Sequence, residues 1–304
     1  MKTLVLGGTR FVGKALVSFL LSKGYELTLF NRGTRANPSN VEHCKGDRRT
    51  SNGLSALKGR QFDVIVDISG RNLEDTRRVI SVTGAPKYRF LYVSSAGVYT
   101  SSKFWPIDED CPLDPHSRHL GKAQTENWLN QQGIPFTSFR PTYIYGPGNY
   151  NPIERWFFDR IVNNRPVPIP DNGSWITQLG HVMDLAEAMS ISLDSDAAEN
   201  RIYNCSSKRG VTFLGLVEIA ALVCGKDMDE VKVRFFDPIG LDPKARKAFP
   251  LRIGHFLTDT SLIEKELKWS SKFKLDNGLL DSYKNDYLLL PKNEPDFSLD
   301  ESLY

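Results

Sequence analysis

Cysteine is scarce. The four in 304 residues, Cys44, Cys111, Cys205 and Cys224, are widely spaced and form no CxxC pair. A chain this long needs no disulfide staples, so they read as reduced thiols. No Cys/His cluster shows metal-ligand spacing, and Asp63, Asp67 and Asp184 are too generic to nominate as ligands, so no metal site is assigned. No apolar run approaches the roughly 18–20 residues of a membrane helix. A net charge of +3 does not by itself predict nucleic-acid binding, for which a strongly basic domain is usual. Internal repeats and low-complexity blocks are absent. The opening MKTLVLGGT enters a strand pattern at once, with no signal peptide and no Arg/Ser-rich transit segment, which predicts a cytoplasmic protein. What remains is ordinary globular chemistry, 40% hydrophobic and 25% charged, with room for one large α/β domain and a lobe.

Short apolar runs alternate with helical patterns over the first half. Thr3–Leu6 reads as a buried strand, followed by a glycine-rich turn and a helix with Phe11, Ala15 and Phe19 on one stripe, ended by Gly24. Glu26–Phe30 and Val41–Cys44 are the next strands. Phe62–Ile68 is a continuous apolar run of the kind covered on both faces. Leu73–Thr83 reads as a helix, Arg89–Ser94 as a strand, His116–Gln132 as a helix and Phe136–Phe139 as a strand. The alternation predicts an α/β fold: a Rossmann-type doubly wound parallel sheet with right-handed crossovers, binding ligands beyond the strand C-termini. After Tyr145 prolines and glycines crowd the chain. Helices are expected at Ile153–Asn163, Val182–Leu193, Phe213–Val223 and Asp259–Leu267, with a strand at Arg201–Cys205. The domain reading is a dinucleotide-binding domain over 1–150, to which 181–205 returns. A smaller C-terminal α/β substrate lobe spans 151–180 and 206–290, and 291–304 form an irregular tail.

The segment Gly7-Gly8-Thr9-Arg10-Phe11-Val12-Gly13 joins the first strand to the first helix. A helix N-terminus offers N–H groups and a positive dipole end to a pyrophosphate, and glycines let the backbone approach it. Its place after strand one makes this a dinucleotide-binding signal. Arg10 stands where the middle glycine is usual. It either crowds the phosphates or swings its guanidinium out to pair with one. The second strand ends in Asn31-Arg32. An acid there favours NAD, whereas an Arg accepts a 2′-phosphate, so Arg32, with Arg35, favours NADP over NAD. A solvated surface arginine is the alternative. Asp47 follows the third strand, where an acid can accept the adenine amino group. Ile68, Ser69 and Gly70 end the fourth and are expected to line the adenosine pocket.

Later motifs carry a resemblance. Tyr92-Val93-Ser94-Ser95-Ala96-Gly97-Val98-Tyr99, Arg140-Pro141-Thr142-Tyr143-Ile144-Tyr145-Gly146-Pro147-Gly148 and His181-Val182-Met183-Asp184-Leu185-Ala186 resemble the YVSSxxVY, RPxxxYGPG and HVxDLA motifs of the extended short-chain dehydrogenase/reductase family, the nucleotide-sugar epimerases and dehydratases. The resemblance implies a cofactor role for Ser94, a substrate-positioning role for Ser95, and a Tyr-x-x-x-Lys pair for proton transfer. Lys122 matches the Lys, which would also hold the nicotinamide ribose. Arg118 stands in the Tyr position, and an arginine cannot act as a general base. His119, expected on the flank of the same helix as Lys122, is either a substitute proton shuttle or a surface histidine.

GGTRFVG, the Asn31-Arg32-Gly33 turn, the missing Tyr, the segment LKWSSKFKLDNGLLDSYKNDY and the tail EPDFSLDE from Glu294 resemble the chloroplast stem-loop-binding protein family and its cyanobacterial relatives. That resemblance implies RNA as a partner and cleavage stimulated by a divalent metal such as Mg2+. Phosphate contacts would need clustered cations: Lys45, Arg48 and Arg49; Arg77 and Arg78; Lys208 and Arg209; Lys244, Arg246, Lys247 and Arg252. Phe104, Trp105 and Trp156 are candidate base-stacking aromatics, Trp156 being the better fit to a lobe core. Three functions stay open: a redox-impaired dinucleotide-binding protein that acts on RNA, a nucleotide-sugar epimerase or oxidoreductase using His119 or Tyr99 for the lost Tyr, and an NADP(H) sensor. Trp156, Phe157 and Phe158 could serve homo- or hetero-oligomers, with core packing the alternative.

Overall fold

The computed structural model describes residues 1–304 apart from Ser51, Pro152, Leu290, Lys292 and Asn293. Along the chain run β1 (Lys2–Leu6), α1 (Phe11–Ser22), β2 (Glu26–Asn31), β3 (Glu42–Lys45), β4 (Val64–Asp67), α2 (Leu73–Thr83), β5 (Arg89–Val93), α3 (Leu120–Gln131), β6 (Phe136–Arg140) and β7 (Tyr143–Tyr145). Then come α4 (Ile153–Val162), β8 (Val167–Pro170), β9 (Ile176–Thr177), β10 (Leu179–His181), α5 (Val182–Ser192), β11 (Arg201–Asn204), β12 (Val211–Thr212), α6 (Phe213–Val223), β13 (Val233–Phe236), α7 (Ser261–Leu267) and α8 (Leu275–Asn285). The chain divides into two compact units.

The first unit holds residues 1–142, 182–206 and 258–270. Its sheet has the order β11-β6-β5-β4-β1-β2-β3, and every neighbouring pair is parallel. This is the doubly wound arrangement read from the alternating pattern, with the switch of direction between β1 and β4. β4 and β5 are buried at every position, which is why they read as unbroken apolar runs rather than alternating ones. Leu4, Leu6, Phe30, Ile65, Phe90 and Tyr92 share one core cluster.

Two differences from the sequence reading bear on the site. α3 begins at Leu120 rather than His116. The Ser117 hydroxyl donates to Gly97 O (2.6 Å) and accepts from His119 N–H (3.0 Å), which ties the chain into a turn before the helix. The segment 258–270 belongs to this unit, with α7 packed on β11, instead of to the lobe.

The second unit holds 143–181, 207–257 and 271–304. Three two-stranded sheets, β10 with β7, β12 with β9 and β13 with β8, accompany α4, α6 and α8. Its core gathers Phe157, Phe158, Ile169, Phe213 and Phe249. Trp156 packs against that core and donates Nε1–H to Ala248 O (2.9 Å). The tail is docked rather than irregular at its end. Asp300–Leu303 form a short helical turn, Leu303 enters the core, and Asp300 forms a buried ion pair with Arg160 (Nε–Oδ2 3.1 Å).

Candidate functional site

β1 delivers the chain to Gly7, whose φ of 99° is comfortable only for glycine. A Cβ on Gly13 would overlap the Gly7 carbonyl oxygen and lie 2.9 Å from Gly8 Cα, so α1 can rest on the loop only without one. Arg10 takes the N-cap position in extended backbone (φ −137°, ψ 146°) with an exposed side chain, so neither its backbone nor the packing demands a glycine there. Phe11 sits at φ 42°, a strained value for a non-glycine residue of the kind that clusters at ligand sites. α1 has no side-chain cap and no acidic residue in its first turn. α2, by contrast, is capped by Asn72, which accepts from Asp75 N–H at 3.0 Å, and carries Glu74 and Asp75. The positive end of α1 is therefore not neutralised from within the helix, as an anion site requires.

At the end of β2, Asn31 Oδ1 accepts from Gly33 N–H (2.8 Å) and lies 3.0 Å from His43 Nε2. Arg32 and Arg35 are exposed, and the Lys45 stem lies against Gly33. Asp47 accepts from the Arg49 backbone N–H (3.0 Å), Nε (3.2 Å) and Nη2 (3.0 Å), and those bonds hold its carboxyl down at about 2. It is an ionised acceptor, as an adenine-amino contact needs, though part of its capacity is already used by Arg49.

The end of β4 holds a group whose connections the sequence reading missed. Arg48 is buried, 7% exposed, and forks onto Asp67 (2.7 and 2.8 Å), which is itself 0% exposed. Arg48 is therefore no phosphate contact for RNA. A signal existed: an aspartate inside the apolar run Phe62–Ile68 is a buried charge, and buried charges need partners. Ile68 is half-buried, Ser69 exposed and Gly70 buried, in one turn beside the glycine loop, where a Cβ on Gly7 would stand 3.2 Å from Ser69 Cβ.

Beyond β5, Ser95 Oγ accepts from Gly97 N–H (3.1 Å) and caps a short turn. His119 comes to the same place: a Cβ on Gly97 would lie 3.1 Å from both His119 Nε2 and Ser95 Oγ. His119 lies in the turn before α3 instead of on the helix flank, and its Nε2 accepts from Arg118 Nε (3.0 Å). Arg118 is exposed in that turn. Tyr99 is buried, donates to Asn204 Oδ1 (2.8 Å), and is raised well above the usual phenol range by burial, so it is no substitute base. Lys122 Nζ donates to Gly70 O (3.1 Å) and Val93 O (2.5 Å). Burial pushes its amine down to about 8, against the opposing pull of Asp67 and Glu126. The Ser94 hydroxyl is buried with no hydrogen-bond partner among the described residues.

These features fit a bound dinucleotide. The α1 opening would hold the pyrophosphate, the β2 end and the 67–70 turn the adenosine, and Ser94 and Lys122 the far ribose. Such a group would supply hydride-transfer chemistry. The residues themselves supply an ammonium, two hydroxyls and an imidazole.

The remaining nominated cations divide by environment. Arg78 is taken up by Glu74 and Arg49 O, and Arg246 by Phe249 O and Leu251 O. Arg77, Lys208, Arg209, Lys244 and Lys247 are exposed, and Phe104 is 84% exposed. Among the described residues no group of three or more His, Cys, Asp or Glu side chains comes together to hold a metal, and no helix is long and apolar enough to cross a membrane.

Residues 3–206 match the model of the NAD dependent epimerase/dehydratase family. The chain is 39% identical to chloroplast stem-loop binding protein of 41 kDa b from Arabidopsis thaliana, over 99% of this chain and 84% of the relative. It is 24% identical to a UDP-glucose 4-epimerase of Corynebacterium glutamicum over 82% of this chain and 88% of that protein. Among solved structures, dTDP-glucose 4,6-dehydratase from Bacillus anthracis in complex with NAD superposes with a TM-score of 0.77 at 20% identity, covering 95% of this chain and 98% of that one. UDP-glucose 4-epimerase from Thermotoga maritima with UDP-glucose gives 0.76 at 18% identity over 94% and 98%. These two likenesses establish the fold.

Proposed function

The chain belongs to the NAD-dependent epimerase/dehydratase family, and from that premise we propose that it is an NADP(H)-binding member, impaired in redox chemistry, that binds stem-loop RNA. The observation that carries the reading is Arg118: four residues before Lys122, where the resemblance expects the proton-transferring Tyr, stands an exposed arginine in a turn, while the opening of α1 keeps the form an anion site requires. A guanidinium keeps its proton at working pH and cannot activate a substrate hydroxyl. A relative named for stem-loop binding, matching nearly the whole chain, supports the RNA half. Exposed Lys208, Arg209, Lys244, Lys247 and Arg77 would supply phosphate contacts and Phe104 a stacking face. Gel-shift titration with stem-loop RNA at physiological salt should give binding at micromolar concentrations or below; none in that range removes the RNA half.

Arg32 beside Asn31 favours NADP, because a charge-assisted contact to a 2′-phosphate is available where an acid would select the free ribose. By calorimetry the wild type should bind NADP+ more tightly than NAD+. Arg32→Ala should lose roughly ten- to a hundredfold in NADP+ affinity, the worth of a charged hydrogen bond, with NAD+ affinity nearly unchanged. Tighter NAD+ binding by the wild type would show the NADP preference to be mistaken.

The Lys122 amine adds a pH dependence. Its ammonium is present below about 8 and lost above, and a phosphate-bearing ligand favours the charged form. Dinucleotide affinity should therefore decline as pH rises through about 8, and Lys122→Met should flatten the profile between about pH 6.5 and 9.5.

A second reading, turnover of nucleotide sugars, draws on Ser95, Lys122 and the approach of His119 to Ser95 around Gly97. It predicts absorbance at 340 nm from reduced cofactor with UDP- or GDP-sugars. A silent trace with unchanged sugars leaves the redox-impaired reading standing.

A further inference from the structure

We propose that Arg48 is a positioning residue of the dinucleotide site, tying the turn after β4 to Lys122 through the Gly70 peptide. This deepens the dinucleotide reading and rests on it. Arg48 lies outside the glycine-rich motif, with β4, α2 and β5 between it and Lys122 in the sequence, and the geometry alone brings them into one frame.

Arg48 uses both faces of its fork. Nη1 donates to Asp67 Oδ1 (2.7 Å) and Ser69 Oγ (3.1 Å), while Nη2 donates to Asp67 Oδ2 (2.8 Å) and Asp75 O (2.7 Å). Asp67 Oδ1 also accepts the amides of Ser69 (3.0 Å) and Gly70 (2.8 Å), so the carboxylate that pairs with the guanidinium also shapes the turn. The other side of Gly70 is held as well: its carbonyl accepts from Lys122 Nζ (3.1 Å) and Tyr92 OH (3.3 Å). There is no slack in between, since a Cβ on Gly70 would lie 2.6 Å from Asp67 Oδ2. Ser69, in turn, abuts Gly7 of the phosphate loop. Guanidinium, carboxylate, turn peptide and ammonium form one connected path from the adenosine end of the site to the ribose end.

Stability is a poor explanation for such a pair. The desolvation of two buried charges offsets most of their attraction, and apolar residues of similar volume often serve as well. What apolar residues cannot do is orient Ser69 and Gly70, which takes a planar fork and a shared carboxylate.

The test separates fold from positioning with the double variant Arg48→Met/Asp67→Asn. The asparagine oxygen still accepts the two turn amides and no charge is left unpaired, but its buried Nδ2, standing where Oδ2 met Arg48, loses its partner. The variant should therefore fold with a thermal midpoint lowered by only the few degrees of one unsatisfied donor. The bonds to Ser69 Oγ and Asp75 O are lost, and NADP+ affinity by calorimetry should weaken about tenfold. Arg48→Lys, which keeps the charge and loses the fork, should show a loss of the same order. A purely structural pair predicts instead that the double variant, and the lysine variant if folded, bind NADP+ like the wild type; either result overturns the inference. Failure of the folded wild type to bind NADP+, NADPH, NAD+ or NADH overturns the dinucleotide reading itself, an outcome that involves no Arg48 variant and so cannot be confused with the first.

Discussion

Alanine at Gly13 is expected to weaken NADP+ binding by roughly ten- to a hundredfold, the worth of a charge-assisted N–H contact to the pyrophosphate. The added methyl would overlap the Gly7 carbonyl oxygen and stand 2.9 Å from Gly7 C and Gly8 Cα. These are backbone atoms of the phosphate loop, so no side chain can swing aside. Either α1 lifts from the loop or the loop opens, and both move the first-turn amides of α1 relative to Gly7 and Gly8. Overpacking of this kind also costs stability, about 1–3 kcal/mol or more. Gly24→Ala is the matched control. It follows the same helix at φ 76° with nothing within 4 Å of its Cβ. It should lose about 1–2 kcal/mol through the left-handed backbone alone and leave affinity untouched. Calorimetry and thermal melts on both variants check the pair. Wild-type NADP+ affinity in folded Gly13→Ala would mean that α1 and its loop are not where the phosphates rest.

The sheet and the loop were legible because local pattern and tertiary role coincide there. Strands buried on both faces must be apolar throughout, and a turn with φ of 99° must use glycine, so β4, β5 and Gly7 announce themselves. The site's polar connections were not. Arg48 sits in a run of charges, Asp47-Arg48-Arg49, where one arginine is exposed and its neighbour is buried and paired with Asp67 nineteen residues on. Nothing in the residue types separates the two; only the fold decides, because the loop after β3 returns past β2 and β1 to set Arg48 against the end of β4. The start of α3 was hidden for a similar reason. Residues 116–119 have no helix-breaking composition, and it is the Ser117 hydroxyl, bonded to Gly97 across the fold, that holds them in a turn. The tail reads as polar and unstructured, yet Asp300 finds Arg160 and Leu303 finds the core of the second unit, contacts between residues about half the chain apart.

A buried carboxylate with no ion-pair partner among the described residues sets the second large expectation. Glu154, 5% exposed, accepts from Gly146 N–H (3.0 Å) and Asn149 Nδ2 (2.8 Å), and burial pushes it up to about 7 despite those bonds. Its unfolded value is 4.5. Between those two pH values the folded chain binds the proton and the unfolded chain does not, so stability is greatest below about 4.5 and declines as pH rises through about 7, by about 3 kcal/mol in all. Glu109, also pushed up to about 7 by burial, titrates in the same window. His181, pushed down to about 4 by burial, acts in the opposite sense between about 4 and 6.5, so Glu154→Gln should remove one proton's share of the decline, about 1.4 kcal/mol per pH unit between about 4.5 and 7, whatever slope the other two leave. Above about pH 7.5 the variant should be the more stable protein. Asn149 limits the gain, because its amide is committed, Nδ2 to Ile144 O (3.2 Å) and Oδ1 to Asn151 N–H (2.9 Å), and cannot turn over freely to meet a glutamine N–H. A net advantage of about 1–2 kcal/mol is expected after that mismatch. Urea titrations of both proteins from about pH 4.5 to 8 measure the slope directly. Equal slopes would show that Glu154 is ionised throughout, with its charge stabilised by the Gly146 and Asn149 donors more strongly than burial opposes it.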